Sequence, residues 1–393
     1  MKATGLNLFS FLPLHYLLGC TTVAFIFLFT SPVRATASLD EHFRAGIRGV
    51  NLFYLDGRDQ EDLPQVIQKL ADGDNACKGT NKEIKARLHN TLQAAKEAGF
   101  NWIRLLIGRG FYQIYSSRCQ YSMPAIYPEF PAVQALAINH LLNEISSYGF
   151  TVELVLGGSD SFSDISNDII FFESVLTQLD HSSIGMVMLG GDVQPARVKR
   201  HAKWLTAVYR HFTLHPTNLK ALNYSFDTVT YQTTQDLKNY VNWTLTHLPD
   251  IPVIAINLYN RSLPPGADWQ AYSRTIAPFL TAYQSVANHK PAWVDEYGFR
   301  LSNPAEDVQY TTKDQLAYFK GFTHATRCST TLTMATFAWT IGNDRYNANP
   351  SKDFKNTPFG LFAGYIHNMP VVQPAWQWLS GANQDNDLCK VLE

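Results

Sequence analysis

Two acidic residues each follow a predicted buried strand and are the first candidates for chemistry in this sequence. Glu296 closes the segment Ala292–Glu296, and Asp192 comes after the apolar run Ile184–Leu189 and two glycines. The carboxyl ends of parallel strands gather at one end of a barrel, so the two side chains are predicted to face each other there. Two carboxyl groups on opposite sides of a bond are what hydrolysis of a glycosidic bond requires.

Further polar and aromatic residues lie near the same strand ends. Arg104 lies within the apolar segment Asn101–Ile107, where a buried cation needs an acidic partner. Tyr259 and Trp339 end two other predicted strands. Position alone predicts a polar, aromatic cleft lined by Asn51, Tyr54, Asp56, Asn257, Trp293 and Asp344.

One repeating pattern positions these residues: an apolar run, a loop, a helical stretch and another apolar run. The eight predicted strands are Ile47–Phe53, Asn101–Ile107, Thr151–Leu156, Ile184–Leu189, Leu219–Tyr224, Pro252–Leu258, Ala292–Glu296 and Met334–Trp339. The predicted helices are Lys82–Ala98, Asn139–Tyr148, Val198–Phe212, Thr234–His247, Trp269–Ala287 and Lys313–Thr326, with Gly99 and Gly149 as C-caps. This alternation predicts a parallel sheet closed into one (β/α)8 TIM barrel over residues 38–393. An open doubly wound sheet is the alternative, but the first strand lacks the glycine-rich phosphate loop expected there.

Four motifs in these strands resemble the clan of glycoside hydrolases that includes the family 5 cellulases and mannanases. They are Arg48-Gly49-Val50-Asn51, Gly99-Phe100-Asn101-Trp102-Ile103-Arg104, Trp293-Val294-Asp295-Glu296-Tyr297-Gly298 and Trp339. The resemblance implies that Glu296 is the nucleophile that forms a glycosyl-enzyme ester. It also implies that Arg104 keeps this carboxylate ionised and that Tyr259 orients it. Trp339 would lie under the reacting sugar, whose apolar face suits a flat ring.

The end of the fourth strand departs from the pattern of that clan. Its members usually carry Asn-Glu there, with the Glu as general acid/base, whereas this sequence has Gly191-Asp192. The aspartate is shorter by about 1.5 Å. That widens the roughly 5–5.5 Å carboxyl separation of retaining enzymes toward the roughly 6.5–9.5 Å of inverting ones. We expect Asp192 to be the acid/base, through an inward loop or an inverting mechanism; the alternatives are proton transfer by Asp160 or Asp227, and a site that binds glycan without hydrolysis.

The N-terminus predicts export. Lys2 precedes a mainly apolar stretch over residues 6–30, and Ala35-Thr36-Ala37 has the A-x-A form of a signal-peptide cleavage site. We therefore expect residues 1–37 to be a signal peptide and the product to be secreted, periplasmic or in the cell envelope. An uncleaved membrane anchor is the alternative, because the apolar stretch is long.

The cysteines agree with export. Cleavage leaves four of them, an even number that favours disulfides in an exported protein. We expect the pairs Cys77–Cys119 and Cys328–Cys389, with buried free thiols as the alternative. No C-x-x-C spacing occurs, so a zinc site is not predicted.

Charge narrows the class of partner. Charged residues make up 17% of the chain, the formal net charge is −1, and no long basic or acidic run occurs, so nucleic acid is not predicted as a partner. We predict a monomeric, exported glycoside hydrolase that cleaves a β-linked poly- or oligosaccharide without a metal or other cofactor. A catalytically degenerate barrel that binds glycan, and a barrel enzyme of unrelated chemistry, are the alternative hypotheses.

Overall fold

The structure is a computed structural model of the 393-residue chain. It describes residues 38–52, 54–56, 61–62, 81–108, 132–157, 162–193, 199–214, 218–228, 232–259, 263–299, 301–303, 308–339, 361–385 and 387–392. All of these residues belong to one compact unit.

Eight parallel strands form a nearly closed barrel. They are β1 (Ile47–Asn51), β2 (Trp102–Gly108), β3 (Thr151–Gly157), β4 (Ile184–Val193), β5 (Tyr224–Thr228), β6 (Ile254–Asn257), β7 (Ala292–Tyr297) and β8 (Met334–Ala338). Neighbours along the chain are neighbours in space, in the order β5-β4-β3-β2-β1-β8-β7-β6. At the remaining seam, between β5 and β6, the Ser225 hydroxyl donates to the carbonyl of Val253 at 2.9 Å. The predicted (β/α)8 TIM barrel is thus confirmed.

Helices surround the barrel and connect its strands. In chain order they are Leu39–Ala45, Asn81–Glu97, Ala132–Ser147, Ile165–Gln178, Lys199–Leu214, Thr234–His247, Trp269–Gln284, Thr312–Thr323, Pro374–Gln384 and Leu388–Leu392. Thr233, Asp268 and Thr311 begin helices by accepting a backbone N–H on a side-chain oxygen. Gly99 and Gly149 follow helices with φ of 75° and 80°, which favours glycine. No helix among the described residues is long and apolar enough to cross a membrane.

Short antiparallel strand pairs lie outside the barrel. They are Tyr54–Asp56 with Glu61–Asp62, Ser302–Asn303 with Val308–Gln309, and Phe362–Ile366 with Met369–Val372.

One predicted strand, Leu219–Tyr224, is wrong. A 3-10 turn occupies Asn218–Ala221, and the carbonyl of the buried Leu219 accepts the Tyr224 hydroxyl at 2.9 Å. The strand begins only at Tyr224. This shift matters for the site, because it moves Asp227 from a loop beyond the strand into the strand itself.

Apolar side chains fill the N-terminal half of the barrel. The buried members are Ile47, Trp102, Val155, Met186, Met188, Val253, Ala255, Trp293, Ala335 and Phe337. Leu39 and Phe43 of the first helix pack against them and close this end of the barrel. Gly49 leaves the space that the Phe337 ring occupies, because a Cβ at that position would lie 2.0 Å from the ring. The polar residues of the barrel interior therefore lie above this layer, toward the C-terminal strand ends.

A disulfide fastens the C-terminus. Cys328 and Cys389 are bonded with their Cα atoms 5.4 Å apart, which joins the π-helical turn His324–Cys328 to the last helix. The predicted pair Cys328–Cys389 is confirmed. Cys77 and Cys119 lie outside the described residues.

Replacing both Cys328 and Cys389 by Ser should lower the free energy of unfolding by about 4 kcal/mol, since the bridge restricts the unfolded chain across a sequence separation of 61. Urea denaturation of the parent and the double variant measures this loss. Coincident unfolding curves would contradict the expectation.

Candidate active site

A β-bulge near the end of β7 turns two consecutive acids toward the barrel interior. Between Val294 and Glu296, β7 advances by two residues while β6 advances by one. The pairing of β7 with β8 shows the same excess of one residue. Adjacent side chains of a regular strand point to opposite faces, but the extra residue lets both Asp295 and Glu296 face inward.

Arg104 is the centre of the site. It extends from β2 into the barrel and is 1% exposed. Its Nε donates to Glu153 at 3.0 Å and its Nη2 donates to Asp227 at 2.7 Å. Its Nη1 donates to Asn51 Oδ1 at 2.9 Å and to Glu296 Oε1 at 2.8 Å. The acidic partner that the sequence predicts for Arg104 is therefore present, and the guanidinium ties β2 to β1, β3, β5 and β7.

Burial sets the charges in this cluster. Burial alone would lower the pKa of Arg104, but the surrounding carboxylates raise it well above its usual value, so the guanidinium stays charged. Burial raises the pKa of Glu153 to about 7, which the hydrogen bonds from Arg104 and Trp293 only partly offset. Burial, together with the charge of Asp227, also raises the pKa of Asp295 well above its usual value. Retained protons thus limit the negative charge inside the barrel.

Glu296 reaches the mouth of the barrel. Its side chain is 15% exposed, whereas that of Arg104 beneath it is 1% exposed. Its Oε2 accepts the Tyr259 hydroxyl at 2.8 Å, and Asn257 Nδ2 lies 3.4 Å from the same oxygen. Burial and the charge of Glu296 raise the pKa of Tyr259 well above its usual value, so the phenol keeps its proton and donates. The carboxylate is therefore held on both oxygens while part of it stays accessible.

Gly298 lets the ends of β6, β7 and β8 approach one another. A Cβ at this position would lie 2.7 Å from the carbonyl oxygen of Trp339 and 3.3 Å from Cε1 of Tyr259. The Trp339 N–H donates to the carbonyl of Tyr297 at 2.7 Å, and the Trp339 side chain is half-buried. The positions of Tyr259 and Trp339, two side chains proposed for the cleft, thus depend on the absence of a side chain at Gly298, which lies between them.

Asn51 and Asn257 lie at strand ends as predicted, but both are buried, at 1% and 2% exposure. Asn51 donates to the carbonyl of Asp295 at 3.4 Å and accepts from Arg104, while Asn257 donates to Glu296. Both amides therefore brace the acid cluster. A direct contact of either one with a sugar stays a prediction.

Trp293 does not lie at the mouth, and its prediction as a cleft residue is wrong. Its ring is fully buried, stacks on Phe337 with centroids 5.3 Å apart and meets Trp102 edge-on, also at 5.3 Å. Side chains on one face of a strand recur at every second residue, so Trp293 lies one layer below Asp295. Its Nε1 donates to Glu153 at 2.9 Å.

Asp192 lies in the last part of β4, but its side chain is outside the described part of the chain. The backbone there is irregular: from Leu189 to Val193, β4 advances by four residues while β5 advances by two, and Gly190 has a φ of 79°. The role of Asp192 as acid/base stays a prediction. Also outside the description are Asp160, Asp344 and the side chains of Tyr54 and Asp56.

Glu153 belongs to the site and was missed by the sequence analysis. It lies in the apolar run Val152–Leu156 and pairs in register with Arg104 on the neighbouring strand. An acid and an arginine inside adjacent apolar strands were a signal that could have predicted this pairing. Asp227, an alternative proton donor in the sequence analysis, instead accepts a hydrogen bond from Arg104 and is 5% exposed.

The acid cluster surrounds a guanidinium. Within the ranges that the structure describes, no three His, Cys, Asp or Glu side chains are arranged to hold a metal ion.

Comparison with known proteins identifies the fold. Neither a protein-family model nor a curated protein matches the chain. Among solved structures, ZgEngAGH5_4 in complex with a cellotriose has 10% identity and a TM-score of 0.55, over 88% of this chain and 98% of that one. A family GH5_18 protein from Bifidobacterium longum in complex with Manβ1-4GlcNAc has 11% identity and a TM-score of 0.54, over 86% and 78% of the chains. A family 5 mannosidase from Rhizomucor miehei has 14% identity and a TM-score of 0.51, over 88% and 94%. The chain shares its (β/α)8 fold with these three structures.

Glu153→Gln should change how stability depends on pH. The pKa of Glu153 rises from an ordinary 4.5 to about 7 on folding, so the folded parent holds this proton longer than the unfolded chain and loses stability as pH rises between these values. Glutamine does not titrate. The free energy of unfolding of the variant, measured relative to that of the parent, should therefore increase by about 3 kcal/mol between pH 4.5 and 7 and then level off. A difference that is constant with pH in urea titrations would contradict this.

Gly298→Ala should lower the melting temperature and displace Tyr259 from Glu296, because the added methyl group would lie 2.7 Å from a backbone oxygen. Gly381→Ala is the matched control, since a Cβ there meets no atom within 4 Å and helix Pro374–Gln384 favours alanine. Calorimetry on both variants makes the comparison. Equal melting temperatures would show that the strand ends have room to separate.

Proposed function

We propose that this protein is a glycoside hydrolase that cleaves a β-linked poly- or oligosaccharide, with Glu296 as its nucleophile. The environment of the Glu296 carboxylate carries the proposal. Arg104 and Tyr259 each donate to a different oxygen at 2.8 Å, and the side chain is still 15% exposed at the C-terminal end of β7. Donors on both oxygens favour the ionised form, which is the form that attacks an anomeric carbon.

In the proposed reaction, a Glu296 oxygen bonds to the anomeric carbon while the leaving oxygen takes a proton from a general acid. Water then attacks the glycosyl-enzyme ester, and the same acid, now a base, accepts its proton. Arg104 and Tyr259 hold the attacking carboxylate in place. Trp339, half-buried just beyond β8, is the proposed platform for the apolar face of the sugar.

Asp192 is the proposed general acid/base. Because β4 and β7 are parallel strands of one barrel, their C-terminal ends lie at the same face. The irregular backbone between Leu189 and Val193 supports the assignment, since bulges re-aim side chains and are frequent next to active sites. A carboxyl separation of roughly 5–5.5 Å would fit this retaining reaction, whereas one above roughly 6.5 Å would fit an inverting reaction, in which Glu296 would act as a general base and no ester would form.

The substrate class and location are also proposals. Two of the similar structures hold a cellotriose and Manβ1-4GlcNAc, which supports a β-linked glycan as the substrate here. The N-terminal pattern supports export, with residues 1–37 as the signal peptide and the enzyme acting outside the cytoplasm or in the cell envelope. That the enzyme acts as a monomer is part of the proposal.

Glu296→Gln should reduce hydrolysis by at least about 10³-fold, because the amide cannot form the glycosyl ester. Release of reducing sugar from a panel of β-glucans, mannans, xylans and bacterial exopolysaccharides measures the loss. Glu97→Gln, the same change at an exposed position on an outer helix, is the matched control and should retain the parent rate. Asp192→Asn should lose activity mainly on substrates with poor leaving groups, as expected for loss of a general acid.

The outcomes separate the hypotheses. Equal rates for Glu296→Gln and the parent would refute the nucleophile assignment. Binding of glycan by a parent that hydrolyses nothing in the panel would favour the degenerate binding barrel. NMR of the first-formed anomer distinguishes retention from inversion.

A further inference from the structure

Asp295 is a fully buried acid directly below the proposed nucleophile. None of its side chain is exposed. Among the residues that the structure describes, no hydrogen-bond donor reaches either of its carboxyl oxygens. An ionised carboxylate in such a place would lose its hydration without compensation.

The other acids of the cluster each accept at least one hydrogen bond. Glu153 and Asp227 accept from Arg104 at 3.0 and 2.7 Å. Glu296 accepts from Arg104 at 2.8 Å. Arg104 therefore offsets part of the cost of a negative charge on each of these three, whereas no donor does so on Asp295, where a proton is best accommodated.

Asp227 is the acceptor for that proton. A hydrogen bond with Asp227 is one of the causes that raise the pKa of Asp295, and two carboxyl groups bond only if one of them carries a proton. The other charged groups that face Asp295 are Arg104 on β2 and Glu153 on β3. Burial and the charge of Asp227 both raise the pKa of Asp295, in agreement with the hydrogen-bond pattern.

We propose that Asp295 retains its proton, donates it to Asp227 and so acts as a positioning residue for Glu296. The bond fixes the Asp227 carboxylate, which accepts Nη2 of Arg104. Through Nη1 the same guanidinium donates to Glu296, so the chain of contacts ends on the attacking group. The catalytic part of this inference rests on the proposed function; the location of the proton does not.

The bulge in β7 gives the bond a second consequence. Asp295 and Glu296 both face inward only because of the extra residue in β7. A hydrogen bond from Asp295 to Asp227 on β5 anchors this bulge from inside the barrel. Ionisation of Asp295 would remove this hydrogen bond and place two negative charges, on Asp295 and Asp227, next to each other. The Glu296 carboxylate would then no longer be held in its orientation.

Substitutions at position 295 test the positioning role. Asp295→Asn keeps an N–H donor of similar size and should retain kcat within severalfold of the parent, while losing any decline of kcat at alkaline pH that comes from ionisation of Asp295. Asp295→Leu removes the donor and should lower kcat by about tenfold or more, with KM changed little. A purely structural role would not shift the alkaline limb of the pH profile.

Infrared difference spectroscopy tests the proton without any assay of activity. At pH 8, above the pKa of about 7 for Glu153, the parent should show the carbonyl stretch of a protonated carboxylic acid. This band should shift in D₂O and be absent from Asp295→Asn. Asp268→Asn, a change at an exposed helix cap, should leave the band unaltered.

The two proposals fail separately. No carboxylic acid band in the parent, or a band that persists in Asp295→Asn, overturns the inference even if the enzyme hydrolyses glycans. A band that is lost in Asp295→Asn supports the shared proton even if no substrate is hydrolysed, in which case it is the proposed function that fails. Hydrolysis with a parent-like kcat and pH profile in Asp295→Leu overturns the positioning role.

Discussion

A guanidinium buried inside a barrel needs acceptors on every side, and this requirement organises the C-terminal half of the protein. Arg104 comes from an even-numbered strand, and its acceptors come from β1, β3, β5 and β7. Side chains that fill one layer of a (β/α)8 barrel come from alternate strands, so one cation is in reach of the whole odd-numbered layer. The acids around it lie close together because the charge between them makes their proximity favourable.

The apolar layer beneath makes this arrangement possible. Trp102, Trp293 and Phe337 fill the N-terminal half, and the first helix closes its end. This layer keeps water away from the acids on their lower side. Each acid must therefore accept a hydrogen bond from a protein donor or keep a proton. Glu296 differs from the other acids because the bulge places it closer to the mouth of the barrel, where 15% of its side chain is exposed.

Much of the fold was predictable from the sequence, because hydrophobic periodicity and the glycine caps at Gly99 and Gly149 are local signals. The need of Arg104 for an acidic partner was also predictable, since the charge of an arginine buried in an apolar strand must be compensated. The bulge at Asp295 was not, because an extra residue is defined only against the neighbouring strands. The depth of Trp293 and the late start of β5 likewise depend on contacts with other segments, which no single segment encodes.

Glu153 accepts hydrogen bonds from Arg104 above it and from Trp293 below it, so it belongs to both layers of the interior. Loss of the acid leaves a buried guanidinium and a buried indole N–H short of an acceptor, and replacement of either donor leaves the acid under-satisfied. In evolutionary terms, we therefore expect positions 104, 153 and 293 to behave as one epistatic unit. A replacement at one of these positions should be tolerated only together with replacements at the others. The packing residue Trp293 in the lower layer should therefore be inherited together with Arg104, the cation of the upper layer.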